Sequence, residues 1–395
     1  MNTLSILSQK VEDDPAPLDF IAPNGYYVVG DKNYNYKINA LEAATQTGQD
    51  VSWHFNDEEF KNLNWKESNG IPLLELYRQR AQQLREKYDY LVLSYSGGSD
   101  THTILESFIN NNIKLDEVVC EWPLKNTSQF AVSASVDAEN MVSEWALNIK
   151  PKLEQLRITN PDIKITILDA LEDLSVEDFE DTCTITLRHA YVSVKRYRKI
   201  SNYFQTVNEK HQNSALIMGF EKPHIFVKYN ILCTAFIDDS CWYKSSCRNY
   251  VKKIEYFFWS ADMPTIVREQ CHVLYNYLKI NPHLISLFDS DTVRPDQPHS
   301  YVCYAKFKMD LIKNLIYTNW NAGNFQVNKG NSMIYNEQHQ WALDSSSIVT
   351  QSWESSIRAR ISLIDKKYLT YFPNGDRLYQ YKILTTRAYP IGIFR

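Results

Sequence analysis

Between residues 86 and 250, short apolar runs alternate with stretches whose apolar residues recur at helical spacing. YLVLSY (90–95) is an unbroken apolar run of strand length, and THTILESFINNN (101–112) follows with a helical pattern. The order then repeats. DEVVCEW (116–122) reads as a strand, DAENMVSEWALNIKPKLEQL (137–156) as a helix interrupted near Pro151, and IKITILDA (163–170) as a strand. LRHAYVSVKRYRKISNYFQTV (187–207) reads as a long helix and SALIMGF (214–220) as a fourth strand. Strands separated by helices of this length are joined by crossover connections, so the pattern predicts an α/β domain with a parallel sheet.

The flanks follow other rhythms. Residues 1–20 are polar, acidic and proline-containing and read as a loose arm, after which GYYVVGDKNYNYKIN (25–39) predicts a hairpin around Gly30-Asp31. LLELYRQRAQQLREKY (73–88) places leucines at helical spacing among charges and predicts an amphipathic helix. Beyond 250, PTIVREQCHVLYNYLKI (264–280) is helical by spacing, and YLTYFPNGDRLYQYKIL (368–384) predicts a hairpin around Asn374-Gly375. The expected organisation is an N-terminal α+β extension (1–85), the α/β domain (86–250) and a C-terminal helical and β-hairpin domain (251–395).

A chain of 395 residues exceeds the ~250–300 at which single cores stop growing, which suits several packed units. With 44% hydrophobic and 23% charged residues it has an ordinary globular composition, and a net charge of -5 gives no general attraction to nucleic acid or anionic membrane. The first residues lack the basic and apolar regions of a secretory signal, and no apolar stretch approaches the ~18 residues of a membrane span. The expected location is the cytoplasm, that of a host cell if the gene is a phage's. The 7 cysteines, an odd number without a CxxC pair, argue for reduced thiols. Cys233, Cys241, Cys247 and Cys271, with His272 beside the last, lack the tight ligand pairs of structural zinc.

Chemistry concentrates at SYSGGSDT (94–101), directly after the first predicted strand. The chain has only 11 glycines, yet Gly97 and Gly98 are adjacent there. A glycine pair after a strand serves positive φ and close backbone approach, and a strand-to-helix loop is an anion site by virtue of its free N–H groups. The GxxxxGK[ST] spacing and the GxGxxG fingerprint are both absent. A plain turn with Asp100 capping the helix is the competing reading, though capping alone does not require two glycines.

Ser96, Gly97, Gly98, Ser99, Asp100 and Thr101 resemble the SGGxDS/T PP-loop of the ATP pyrophosphatase superfamily. That superfamily includes asparagine synthetases, tRNA thiolation and lysidine enzymes, 7-cyano-7-deazaguanine synthases and phosphoadenylylsulfate reductases. The stretch YRQRAQQLREKYDYLVLSYSGGSDT and VSWHFND (51–57) also look like PP-loop proteins of large tailed bacteriophages, loosely labelled asparagine synthetase-like. The resemblance implies a Rossmann-like, HUP-type nucleotide-binding domain and ATP as ligand. In the family, loop N–H groups and hydroxyls hold the β and γ phosphates, so that an acceptor oxygen attacks the α-phosphorus and pyrophosphate departs. Ser96, Ser99 and Thr101 then supply hydroxyls. Asp100, which as an anion would repel phosphate, is assigned to Mg²⁺.

Gly219-Phe220-Glu221-Lys222-Pro223 follows the fourth strand, where several superfamily members complete the site. Glu221 is a candidate Mg²⁺ ligand and Lys222 a candidate partner of departing pyrophosphate, with a solvated turn as the equal alternative. SADMPTI (260–266) resembles a site-flanking segment of asparagine synthetases and reads equally as an Asp262 cap before a helix. The basic stretch RHAYVSVKRYRK (188–199) suits RNA or polyphosphate but more often marks a solvated helix face. Cys120 and Trp122 close the second strand, with core packing the favoured role for both.

The expected activity is therefore AMP-forming adenylation of a carboxylate, amide or carbonyl oxygen, followed by attack of an amine or ammonia. The nucleophile comes free or from a separate donor, since Asn2 stands where an intrinsic glutaminase has its catalytic cysteine. tRNA or nucleobase thiolation and a non-catalytic nucleotide-binding module are the alternatives. RNA is the less favoured acceptor, and no membrane partner is expected.

Overall fold

The computed structural model of the chain describes residues 25–122, 144–169, 190–220, 222–238, 251–289, 298–317, 362–370 and 380–394. The N-terminal region forms a small antiparallel sheet from β1 (Tyr26–Val29), β2 (Lys32–Tyr34) and β3 (Val51–His54), in the order β2-β1-β3. The predicted hairpin is present, and Gly30 takes the positive φ of 62° that its turn requires. Helix α1 (Lys37–Thr47) connects β2 to β3, and α2 (Asp57–Asn62) and α3 (Leu73–Lys87) lead onward. On α3 the residues Leu73, Leu76, Tyr77, Arg80, Ala81 and Leu84 form the buried face, as the leucine spacing predicted.

The core is a five-stranded sheet whose recorded pairings are all parallel. Its strands are β4 (Tyr90–Ser94), β5 (Glu117–Trp122), β6 (Lys164–Asp169), β7 (Ser214–Met218) and, after the hairpin of β8 (His224–Lys228) and β9 (Ile231–Ala235), β10 (Ile254–Tyr256). They lie in the order β10-β7-β4-β5-β6. Helices α4 (Ser99–Ile109), α5 (Lys150–Thr159) and α6 (Ala190–Lys210) make the connections β4-β5, β5-β6 and β6-β7. Every residue of β5 and of β7 is buried, which is why Val118–Cys120 and Ala215–Met218 are apolar runs and do not alternate with polar residues. This is an α/β protein with a Rossmann-like core.

Past β10 come α7 (Thr265–Ile280), α8 (Pro298–Ile316), the short pair β11 (Leu369–Thr370) and β12 (Gln380–Tyr381), and β13 (Tyr389–Ile393). The expected hairpin at 368–384 has its arms paired antiparallel, while its Asn374-Gly375 turn lies outside the described residues. β13 adds to β9 in a second small sheet, β13-β9-β8. An aromatic cluster of Phe55, Phe60, Trp65, Phe236, Trp259 and Tyr389 binds the N-terminal region to this sheet and to the segment after β10. Tyr27 adds a 3.1 Å hydrogen bond to Asp238.

β10 was not expected from the sequence. Glu255 sits in its middle, and a charge in a three-residue run hides a central-sheet strand. The structure accommodates it by pairing Glu255 with Arg80 at 2.7 Å, Arg80 being fully buried, and with Lys87 at 2.9 Å. Burial works to raise the Glu255 pKa, but Arg80, Tyr88 and Lys87 outweigh it and hold the carboxyl below its usual range.

Candidate functional site

From β4 the chain moves toward β5 and then β6, whereas from β7 it moves the other way, to β10. The carboxyl ends of β4 and β7 therefore flank a topological switch point, the crevice where open α/β sheets bind ligands. Both candidate loops emerge there: Tyr95–Gly98 after β4 and Gly219–Lys222 after β7.

The first loop is shaped by its glycines. Gly97 has φ +71°, and a Cβ on it would lie 2.5 Å from Cγ1 of Ile149. Gly98 is the extended residue ahead of α4, and its carbonyl accepts from the His102 N–H at 2.9 Å. Thr101 staples the turn: its hydroxyl accepts the Ser96 N–H at 3.2 Å and donates to the Gly98 carbonyl at 3.3 Å. Ser99 and Thr101 are buried in this arrangement, and Ser96 and Asp100 are partly exposed. The Thr101 hydroxyl thus has a structural duty in the loop beside the phosphate contact expected of it.

The second loop is pressed against the first. A Cβ on Gly219 would meet Thr101 Cγ2 at 2.8 Å and the Thr101 nitrogen at 3.1 Å, so only glycine lets the chain pass the first turn of α4. That passage delivers Lys222, whose ammonium lies 3.0 Å from both carboxylate oxygens of Asp100. The Lys222 side chain is 8% exposed and that of Asp100 20%. Glu221, the other candidate in this loop, lies outside the described residues.

A third element reaches the same carboxylate. Tyr317, directly after α8, donates its hydroxyl to Asp100 Oδ1. Its neighbour Ile316 is fixed through its carbonyl by the Tyr77 hydroxyl at 2.8 Å, which in turn accepts from the Gln270 amide at 2.9 Å. Burial, with the Asp100 charge adding to it, raises the Tyr77 pKa, so this relay stays protonated. Nothing in the sequence around Tyr317 or Gln270 signals either role.

No family model matches this chain, and no curated protein matches its sequence.

The loop's other wall is the irregular helix between β5 and β6. Glu144–Ile149 is a π-helical turn that runs into α5, where Pro151 sits in the first turn. Pro151 has no N–H to give to the preceding turn, which accounts for the interruption expected there. Trp145 on this turn stacks on Trp122 at the end of β5, with ring centroids 5.7 Å apart. Trp122 and Cys120 are both fully buried, the core roles expected for them. On α4, His102 faces Glu106 and Lys152. Burial, then the Lys152 charge, lowers the His102 pKa and favours a neutral ring beside the loop.

Of the remaining candidates, Asp262 does not cap a helix: its carboxylate pairs with Lys87 at 2.8 Å, and Pro264 occupies the cap position of α7. The basic stretch 188–199 leads into and opens α6, and its side chains lie outside the described residues, as do Cys241 and Cys247. Cys233 and Cys271 are buried free thiols, and among the described residues no group of three or more His, Cys, Asp or Glu is placed to hold a metal ion. Mg²⁺ does not require such a cage, because it is commonly held by one or two carboxylates, substrate phosphates and water. A partly exposed Asp100 beside a strand-to-helix loop fits that mode.

Proposed function

We propose that this chain is a PP-loop ATP pyrophosphatase with a HUP-type core, which uses ATP and Mg²⁺ to adenylate an acceptor oxygen for attack by an amine or ammonia. The observation that carries the reading is the meeting of Asp100 and Lys222 at the switch point, on separate loops shaped by Gly97 and Gly219. A carboxylate for a cation and an ammonium for a leaving anion, beside a glycine-shaped anion loop, form a complementary set for a magnesium nucleotide.

In this reading the N–H groups of Gly97–Asp100 and the Ser96 hydroxyl hold the β and γ phosphates. Lys222 would neutralise the departing pyrophosphate, and Asp100 would hold the cation. Mg²⁺ would neutralise charge that builds on the phosphate oxygens. The acceptor oxygen bonds to the α-phosphorus as the bond to the bridging β oxygen breaks. Residues 251–395 furnish the acceptor-specific wall, and the cytoplasm of a phage-infected cell is a fitting location. Sulfur transfer finds no support among the described cysteines, since Cys120, Cys233 and Cys271 are all buried.

The test is product analysis after incubation with ATP, Mg²⁺ and either a metabolite or a tRNA pool. AMP and pyrophosphate are expected, and Lys222→Ala is expected to slow their release by about 100-fold. ADP and phosphate as the dominant products would overturn the assignment. ATP binding without turnover in any pool would leave the chain as a nucleotide-binding module.

A further inference from the structure

We infer that Tyr317 is a positioning residue for the cation, holding one oxygen of Asp100 so that the other is presented to the metal; this rests on the magnesium-nucleotide reading above. Among the described residues, donors of two different kinds meet at Asp100. Lys222 straddles both oxygens at 3.0 Å, and the Tyr317 hydroxyl donates to Oδ1. These two donors respond differently to a nucleotide. The ammonium is a mobile point charge that phosphate can attract away, and a divalent cation at Asp100 repels it. The phenol is neutral, so its hydrogen bond to Oδ1 is compatible with a cation on Oδ2.

The surroundings of Tyr317 favour the same division. The ring is fully buried against Phe258, with centroids 5.4 Å apart. Its backbone N–H bonds to the Lys313 carbonyl at 2.9 Å. The Tyr77 hydroxyl grips the adjoining Ile316 carbonyl, and Gln270 fixes Tyr77. The hydroxyl is thus placed by α3, α7 and α8 together, none of which belongs to the loop it serves. Lys222, by contrast, follows a short loop after β7. A rigid donor and a movable one on the same carboxylate form an arrangement in which the cation replaces the lysine and leaves the tyrosine in place.

The experiment uses the full chain and measures ATP affinity by calorimetry, first in excess EDTA and then across a MgCl₂ titration. Loss of a hydrogen bond to a charged group is expected to raise the Mg²⁺ concentration at half-effect by about tenfold in Tyr317→Phe. Affinity in EDTA should fall by less than about twofold, because the phenol bonds the Asp100 carboxylate, which is assigned to the cation and not to phosphate. Tyr77→Phe, which keeps the Tyr317 hydroxyl but releases Ile316, should move the Mg²⁺ midpoint the same way by a smaller factor. It provides the test if Tyr317→Phe does not fold. An unchanged Mg²⁺ midpoint, or equal losses in EDTA and in Mg²⁺, would overturn the role of Tyr317 while leaving the nucleotide reading intact. Absence of ATP binding by the wild-type chain in both arms would remove the nucleotide reading and this inference together.

Discussion

Gly97→Ala probes the seat of the loop without any ligand. Two separate penalties act on the added methyl. At φ +71° an alanine is in left-handed backbone, which costs about 1–2 kcal/mol. Its Cβ would also lie 2.5 Å from Ile149 Cγ1, where carbon atoms rest at about 3.5–4.0 Å. Relieving an overlap of about 1 Å in a packed interior costs about 1–3 kcal/mol, so the sum is about 2–5 kcal/mol. Ile149 is 1% exposed, so Ile149→Ala should itself cost about 2–5 kcal/mol through its cavity. In the double variant the methyl of residue 97 enters that cavity, and only the backbone penalty should remain for the glycine change. A double-mutant cycle from urea unfolding of the four proteins, followed by tryptophan fluorescence, should therefore give a favourable coupling of about 1–3 kcal/mol. Additivity within about 0.5 kcal/mol would mean that Gly97 is not held against Ile149, and the geometry of the loop would have to be redrawn.

Asp100→Asn leaves the nearly buried Lys222 ammonium without its carboxylate and should destabilise the ligand-free protein by about 3 kcal/mol, read from its denaturation midpoint; a change under about 0.5 kcal/mol would show the pair to be open to water. Glu255→Gln deprives fully buried Arg80 of its nearer carboxylate, leaving Asp262 at 3.9 Å, and should cost about 3 kcal/mol at pH 7. Because the folded-state pKa of Glu255 is depressed, its contribution is present above the unfolded value of about 4.3 and is lost as pH falls through the folded one. Melting temperatures of parent and variant should accordingly converge in acid, and a constant gap would refute the pairing. Burial lowers the Lys308 pKa to about 8, and its ammonium donates to the Ile225 carbonyl at 2.9 Å. Its acylation, followed by peptide mass spectrometry, should reach half its limiting rate near pH 8, whereas an ordinary lysine does so near pH ~10.4; a profile centred on the higher value would place the amine in water.

The sheet was legible wherever burial on both faces leaves a continuous apolar run, as at Leu91–Leu93 and in β7. The glycine loop was legible because glycine is scarce in this chain and two glycines stood together at a strand's end. Several elements escaped, among them the helices Lys37–Thr47 and Pro298–Ile316, and two did so for opposite reasons. β10 carries a charge whose neutralising partner, Arg80, lies far away in the sequence. The β8-β9 hairpin turns through Tyr229 and Asn230, both at positive φ, without the glycine that usually marks such a turn. The relay from Gln270 through Tyr77 to Ile316, and the Tyr317 contact beyond it, involve residue types with no distinctive spacing. Only the tertiary fold brings them to Asp100.

The pairing of β7 with β4 has a consequence for how the protein comes into being. Asp100 and Lys222 are 122 positions apart, and Asp100 and Tyr317 are 217 apart. During synthesis at ~5–20 residues per second, the glycine loop leaves the ribosome several seconds before its lysine and later still before its tyrosine. Closing such distant contacts is among the slower steps of folding, because chain entropy must be lost before the contact is gained. A nascent chain arrested before residue 222 would display the loop but lack the ammonium that balances its carboxylate. On the proposed reading, Mg²⁺-dependent nucleotide capture would then await residues 222 and 317, and its appearance in a synthesis reaction would time those two closures.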